Sequence, residues 1–140
     1  MARLELKNHQ VWRDLTEILE NLDANILVQE HLNQCDYKVC GYWDEQDEYY
    51  ETITLPPNLE AELVSSSIGV THQERFLQLK FSLIAADVDN TKTASNKGQK
   101  LGELVLVYDE NLEFVDENWL LDVDSPMLVK CFSLKCSDHI

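Results

Sequence analysis

The chain has 140 residues and a formal net charge of −15, from 26 acidic against 11 basic side chains, and its 44% apolar content suits one domain of ordinary size. That charge repels phosphate backbones and anionic lipid, which argues against direct nucleic-acid binding and against a membrane-surface role. The N-terminal residues lack the apolar run of a signal peptide and no segment approaches a spanning helix, so the expectation is a cytoplasmic protein with reduced thiols.

The first predicted element is a helix. Val11, Leu15, Ile18, Leu19, Leu22 and Ile26 recur at helical spacing, with acidic residues between them. Asn8 is the expected N-cap. The helix starts at about residue 9 and ends somewhere between 23 and 33, with Asn21, Asp23 and Asn25 as candidate breakers.

The period then changes to two. "YKVCGYW" (37–43), "DEQDE" (44–48) and "YYETITL" (49–55) read as strand, turn and strand. Pairing Trp43 with Tyr49 sets Tyr42 opposite Tyr50, Cys40 opposite Thr52 and Val39 opposite Ile53. Pro56 and Pro57 end the second strand, and a short helix is expected from about 58 to 66. "ERFLQLKFSLIAA" is a long strand with Leu77, Leu79, Phe81, Leu83 and Ala85 on its core face. "DVDNTKTASNKGQK" (87–100) is polar and is expected to be a mobile loop. A strand at 101–108, a turn at Asp109-Glu110-Asn111, a returning strand at 112–116 and a final strand in "MLVKCFSLKC" complete the chain. The predicted fold is α+β: a single domain over 1–140 with a mostly antiparallel sheet of about five to six strands and a long N-terminal helix packed on one face. Apolar positions on both faces of 127–134 fit either an internal strand or a homodimer contact.

The four cysteines form two pairs of equal spacing, "CDYKVC" (35–40) and "CFSLKC" (131–136). A four-cysteine zinc site needs tight turns that bring all sulfurs to one ion. No Gly, Pro or Asn stands inside either pair. If 131–136 is extended, its cysteines lie about 16 Å apart at strand rise and share neither a metal nor a disulfide. The expectation is packing cysteines, no metal ligand and no cofactor, with a Cys40–Cys131 cross-strand pair left open by geometry.

Catalytic patterns are missing. "DVDNTKTASNKG" and "DENLEFVDENWL" each lack the glycine and the terminal Glu of a calcium loop. No GxSxG, HExxH, Walker A or GxGxxG occurs, and His9, His31, His72 and His139 are scattered. Asp23 with Asp36-Tyr37-Lys38 has only the outline of a metal-dependent nuclease. No catalytic residue is assigned, and an enzyme is not the expectation.

The unusual feature is "DYKVCGYWDEQDEYYE" (36–51), which places five of the chain's twelve aromatics beside six carboxylates. Such a surface suits a basic protein partner through cation–π contacts and ion pairs. Tyr42, Trp43 and Tyr50 are the candidate anchors, and Asp44, Glu45, Asp47 and Glu48 the charged rim. A second acidic stretch, Asp109 to Asp124, adds seven carboxylates. The leading expectation is a protein-binding regulatory or accessory module. The alternatives are a zinc- or divalent-ion-binding protein and a small-ligand-binding domain.

Overall fold

A computed structural model of the chain describes residues 9–85 and 99–132, together with the backbone of 135 and 136. The N-terminal periodic segment forms two helices, α1 (Gln10–Asn21) and α2 (Ala24–Gln34), instead of one long helix. Leu22 is extended, and the Asp23 carboxylate accepts from the Ile26 N–H at 3.1 Å, so Asp23 caps a new helix. His9 caps α1, its ring accepting from the Val11 N–H at 3.0 Å; the expected cap, Asn8, lies outside the described residues. No residue of α1 is fully buried, whereas Val28 and Leu32 of α2 are 0% exposed. The break therefore aims α2 into the core and leaves α1 on the flank.

The strands are β1 (Lys38–Trp43), β2 (Tyr49–Thr54), β3 (Leu59–Val70), β4 (Arg75–Ala85), β5 (Lys100–Tyr108), β6 (Phe114–Leu121), β7 (Val129–Phe132) and the two-residue β8 (Lys135–Cys136). They make two antiparallel sheets in the orders β1-β2-β7-β8 and β3-β4-β5-β6. The expected single sheet is thus replaced by two. One core cluster joins them: Val39, Ile53 and Leu55 from the first, Phe81, Leu83, Leu101 and Leu104 from the second, and Val28 and Leu32 from α2. No helix among the described residues is long and apolar enough to cross a membrane.

The predicted helix at 58–66 is strand β3. Leu59, Ala61 and Leu63 alternate with Glu60 and Glu62, and that period of two outweighs the helix-starting prolines. A bulge between Leu63 and Ser65 leaves Val64 exposed. β3 is an outer strand, and α2 covers its free edge. Asn25 accepts from the Ala61 N–H at 2.7 Å, and Gln29 donates to the Leu59 carbonyl at 3.0 Å. Edge groups that would otherwise template a foreign strand are thereby occupied.

The β1–β2 register is the predicted one, with Trp43 opposite Tyr49, Tyr42 opposite Tyr50 and Val39 opposite Ile53. The faces do not alternate strictly. Val39 and Tyr42, three residues apart, are both buried, and Gly41 between them has φ +69°. The left-handed glycine twists the hairpin so that its tip also turns a tyrosine inward.

The extended reading of 131–136 is overturned. The chain reverses there, and Cys131 stands opposite Cys136 in an antiparallel register. Cys131 is disulfide-bonded, and Cys35 and Cys40 are free. Strand spacing no longer separates residues 131 and 136 once a turn lies between them, so the argument from a 16 Å extended segment fails. β7 lies between β2 and β8 in its sheet, with Cys131 turned into the core and Phe132 exposed on the other face. Of the predicted loop at 87–100, residues 87–98 lie outside the described residues.

Candidate functional site: an acidic cleft

The β1–β2 turn is built around Asp44. The Asp44 N–H donates to the Glu48 carbonyl at 3.0 Å, and Asp47 takes a left-handed φ of 64°. Asp44 Oδ1 accepts from the Gln46 and Glu48 N–H groups at 2.8 and 2.9 Å. Its Oδ2 accepts from the Tyr50 hydroxyl at 2.9 Å. The backbone N–H of Glu48, with the Tyr50 hydroxyl and the Gln46 N–H, holds the Asp44 carboxyl below its usual range. Desolvation and the Asp44 carboxylate push the Tyr50 hydroxyl up to about 12.

Tyr42 ties this hairpin to the other sheet. Its hydroxyl oxygen accepts from the Leu121 N–H at 2.8 Å, and the Leu121 carbonyl lies 3.5 Å away. Leu121 ends β6, so its outward backbone groups would otherwise stand free at a sheet edge. Beyond it, Asp122 donates its N–H to Leu101 at 2.8 Å, and its carboxylate accepts from the Asp124 N–H at 3.2 Å.

Between the 44–48 tip and the 120–124 segment is a cleft of about 510 Å³. Asp44, Glu45, Glu48, Glu103, Asp122 and Asp124 line it, with Lys100 as the lone basic side chain among the lining residues. The two acidic stretches of the sequence therefore meet. Glu103 is already engaged by Lys100 at 3.1 Å and Lys80 at 3.2 Å, and the Lys100 hydrogen bond leads in holding its carboxyl below the usual range. Among the described residues, Glu45, Glu48, Asp122 and Asp124 have no cation partner. Gly102 forms part of the wall, and a Cβ there would lie 2.2 Å from the Leu120 carbonyl oxygen. Only glycine allows β5 and β6 to approach so closely at this point.

The predicted site residues are divided by this geometry. Asp44, Glu45, Glu48 and Tyr50 line the cleft, and Asp47 serves the turn. Tyr42 and Tyr50, expected as surface anchors, are 8% and 5% exposed and are structural. Trp43 is 61% exposed and packs on Tyr49 with ring centroids 4.9 Å apart. By the pleat these two point away from the side that carries Tyr50.

One half-buried polar cluster escaped the sequence reading. His31 of α2 bonds through Nε2 to the Glu117 carboxylate, which also accepts from the Trp119 indole at 2.8 Å. Phe114 packs on the His31 ring at 5.1 Å. The partners are 86 residues apart, so no spacing rule could find them. Burial, with the nearby Glu117 carboxylate, pushes the Cys35 thiol up, away from nucleophilic character. Asp23 and Asp36, the carboxylates of the nuclease-like outline, are a helix cap and an exposed left-handed turn residue. Among the described residues, no three His, Cys, Asp or Glu side chains are arranged to hold a metal ion.

The chain is thus an α+β protein of two antiparallel sheets about one core, with an acidic cleft where the first sheet's hairpin meets the second sheet. No protein-family model matches it, and no curated protein and no solved structure matches it significantly.

Proposed function

We propose that this protein is a protein-binding accessory module that captures a cationic segment of its partner in the cleft between residues 44–48 and 120–124. The observation that carries this reading is the convergence of two acidic stretches, about eighty residues apart, on one concavity whose described lining holds six carboxylates and one lysine. Carboxylates fixed at that density raise the local concentration of a cation and steer it in, most strongly at low salt. An arginine fork or a lysine ammonium suits the site better than a bare divalent ion, which takes six or more oxygens at once. Leu120 and Val123 in the same wall can hold the aliphatic stem of such a side chain.

The Trp43–Tyr49 pair sits on the other flank of the same hairpin. A partner that wraps the tip would meet it as a second contact, through ring faces that attract cations. The cleft acids, and not the buried tyrosines, carry the proposed charge recognition.

The test is calorimetric titration with a synthetic nonapeptide rich in arginine and lysine. Wild-type protein is compared with the variant Glu45→Gln, Glu48→Gln, Asp122→Asn, Asp124→Asn. Asp44 is left intact because it holds the turn. The variant is expected to bind about tenfold or more weakly and with a flatter salt dependence. Equal affinity in the two proteins, with circular dichroism showing both folded, would sink the reading.

A further inference from the structure

The acidic cleft opens at one end of a longer surface. On the face of the β3–β6 sheet turned away from the core, register places Gln78, Val107 and Asp116 side by side, and Glu103 beside Leu120 further along. Near the β5–β6 turn the same face holds a second hollow of about 580 Å³, with Phe76, Val107 and Asn118 in its lining. Glu74, Asp109, Glu110 and Asp116 border that hollow, and Arg75, the one cation among its described lining residues, already faces Glu110 at 3.6 Å. Half-buried Phe76, Val105 and Val107 and exposed Leu120 form an apolar strip along the face. Acidic hollows therefore stand at both ends of an apolar strip.

We propose that this face is a groove for an amphipathic helix of the partner protein, with one basic end in each hollow and its apolar stripe on Phe76, Val105 and Val107. The proposal rests on the cationic reading of the cleft and specifies the shape of the partner. Charge complementarity selects the occupant. A second copy of this chain would bring its own net charge of −15 against the same carboxylates. A sheet face with an apolar strip is the natural seat of a helix, since helix on sheet is a standard layer pairing. Asp116 and Asp122 are six residues apart on one strand line, about 20 Å at strand rise. A helix covers about 21 Å in about 14 residues, and 14 positions bring a side chain back to within about 40° of the same face, so basic pairs about 14 positions apart would reach both hollows.

Binding by fluorescence anisotropy and amide shifts by NMR would test this with the full chain. The probes are a synthetic 18-residue helix-forming peptide with arginine pairs 14 positions apart, a control of equal composition with all arginines at one end, and the nonapeptide above. The spaced peptide is expected to bind about tenfold more tightly than the control and to shift the amides of Gln78, Val107 and Asn118 as well as Asp122. Val107→Lys should remove that tenfold advantage while leaving nonapeptide binding unchanged. Asn118→Lys, at an exposed position, gives the same test if Val107→Lys fails to fold. Equal binding of the two long peptides, with shifts confined to residues near 44–48 and 120–124, overturns the groove and leaves the cleft standing. Failure of every peptide, the nonapeptide included, overturns both.

Discussion

Two turns in this protein are built on one plan and end in different circumstances. "DEQDE" (44–48) and "DENLE" (109–113) each open with an aspartate whose N–H donates to the carbonyl four residues on, at 3.0 and 2.9 Å. In each, that aspartate's Oδ1 accepts from two backbone N–H groups, and the fourth residue is left-handed, at φ 64° for Asp47 and 63° for Leu112. The first tip is further held from outside. Tyr50 donates to its aspartate, Tyr42 joins its strand to β6, and the 120–124 segment closes a cleft beside it. Among the described side chains, the second tip is held from outside by an exposed Arg75–Glu110 pair at 3.6 Å, a contact of little energetic weight. Identical turn chemistry thus makes a tip pinned from two sides in one place and a lightly held tip in the other. What separates them is two tyrosine hydroxyls and the neighbouring chain.

The sharpest way to break the comparison is Tyr42→Phe. It keeps the ring and removes the acceptor of the Leu121 N–H, leaving an edge amide without its partner in a buried setting. A loss of about 1–3 kcal/mol in chemical denaturation is expected, with faster hydrogen exchange at the Leu121 amide. An unchanged stability would mean that the hydroxyl does not hold the first hairpin to β6.

Paired substitutions at the opening aspartates come next. Asp44→Ala should lower the melting temperature more than Asp109→Ala, because Asp44 also serves Tyr50. It should also bring the Tyr50 titration down from about 12 in an absorbance titration read against Tyr50→Phe. The sign follows from linkage. A hydroxyl raised from about 10 to about 12 on folding favours the folded state fully below pH 10, and that contribution is lost as pH rises from about 10 to about 12. Asp44→Ala should narrow this alkaline loss. The Asp44 carboxyl, held low, contributes in the opposite direction: its share is present above its unfolded pKa and is lost as pH falls through the lower folded value. Equal melting temperatures for the two alanine variants would dissolve the distinction drawn between the tips.

The smallest expected effect lies at the left-handed position. Leu112 is 68% exposed and pays the steric cost of a side chain at φ 63°. Leu112→Asn should gain about 0.5–1 kcal/mol, since asparagine tolerates that region. Asp47→Asn should change little, because aspartate tolerates it already. A denaturation series on both variants checks the contrast, and a destabilising Leu112→Asn would show that Leu112 has a packing role.

Much of the fold is visible residue by residue. Alternation in 75–85 places Leu79, Phe81, Leu83 and Ala85 in the core, and the aromatic spacing around "DEQDE" sets the β1–β2 register. Three expectations fail for physical reasons. The long helix breaks because Asp23 caps more favourably than it continues a helix. The 58–66 segment is a strand because its Leu–Glu–Ala–Glu–Leu alternation can bury one face against β4, a gain that the proline signal does not include. The 131–136 segment is not one extended strand, since Cys131 and Phe132 pair antiparallel with Cys136 and Lys135, a partner choice that strand propensity does not encode.

By itself, then, the amino-acid order determined short-range matters: the periods of 3.6 and 2, the aspartate-led turns, the register across the five-residue turn 44–48 and the acidic balance. These depend on neighbours a few residues apart, where steric and hydrogen-bond rules act without knowledge of the fold. The tertiary structure alone decided that Tyr42 reaches Leu121, that His31 meets Glu117, and that two acidic stretches about eighty residues apart share one cleft. Those contacts arise from burying both sheets and α2 around one core, because the free energy that brings distant segments together is apolar burial, which carries no local signature of which polar groups it will set face to face.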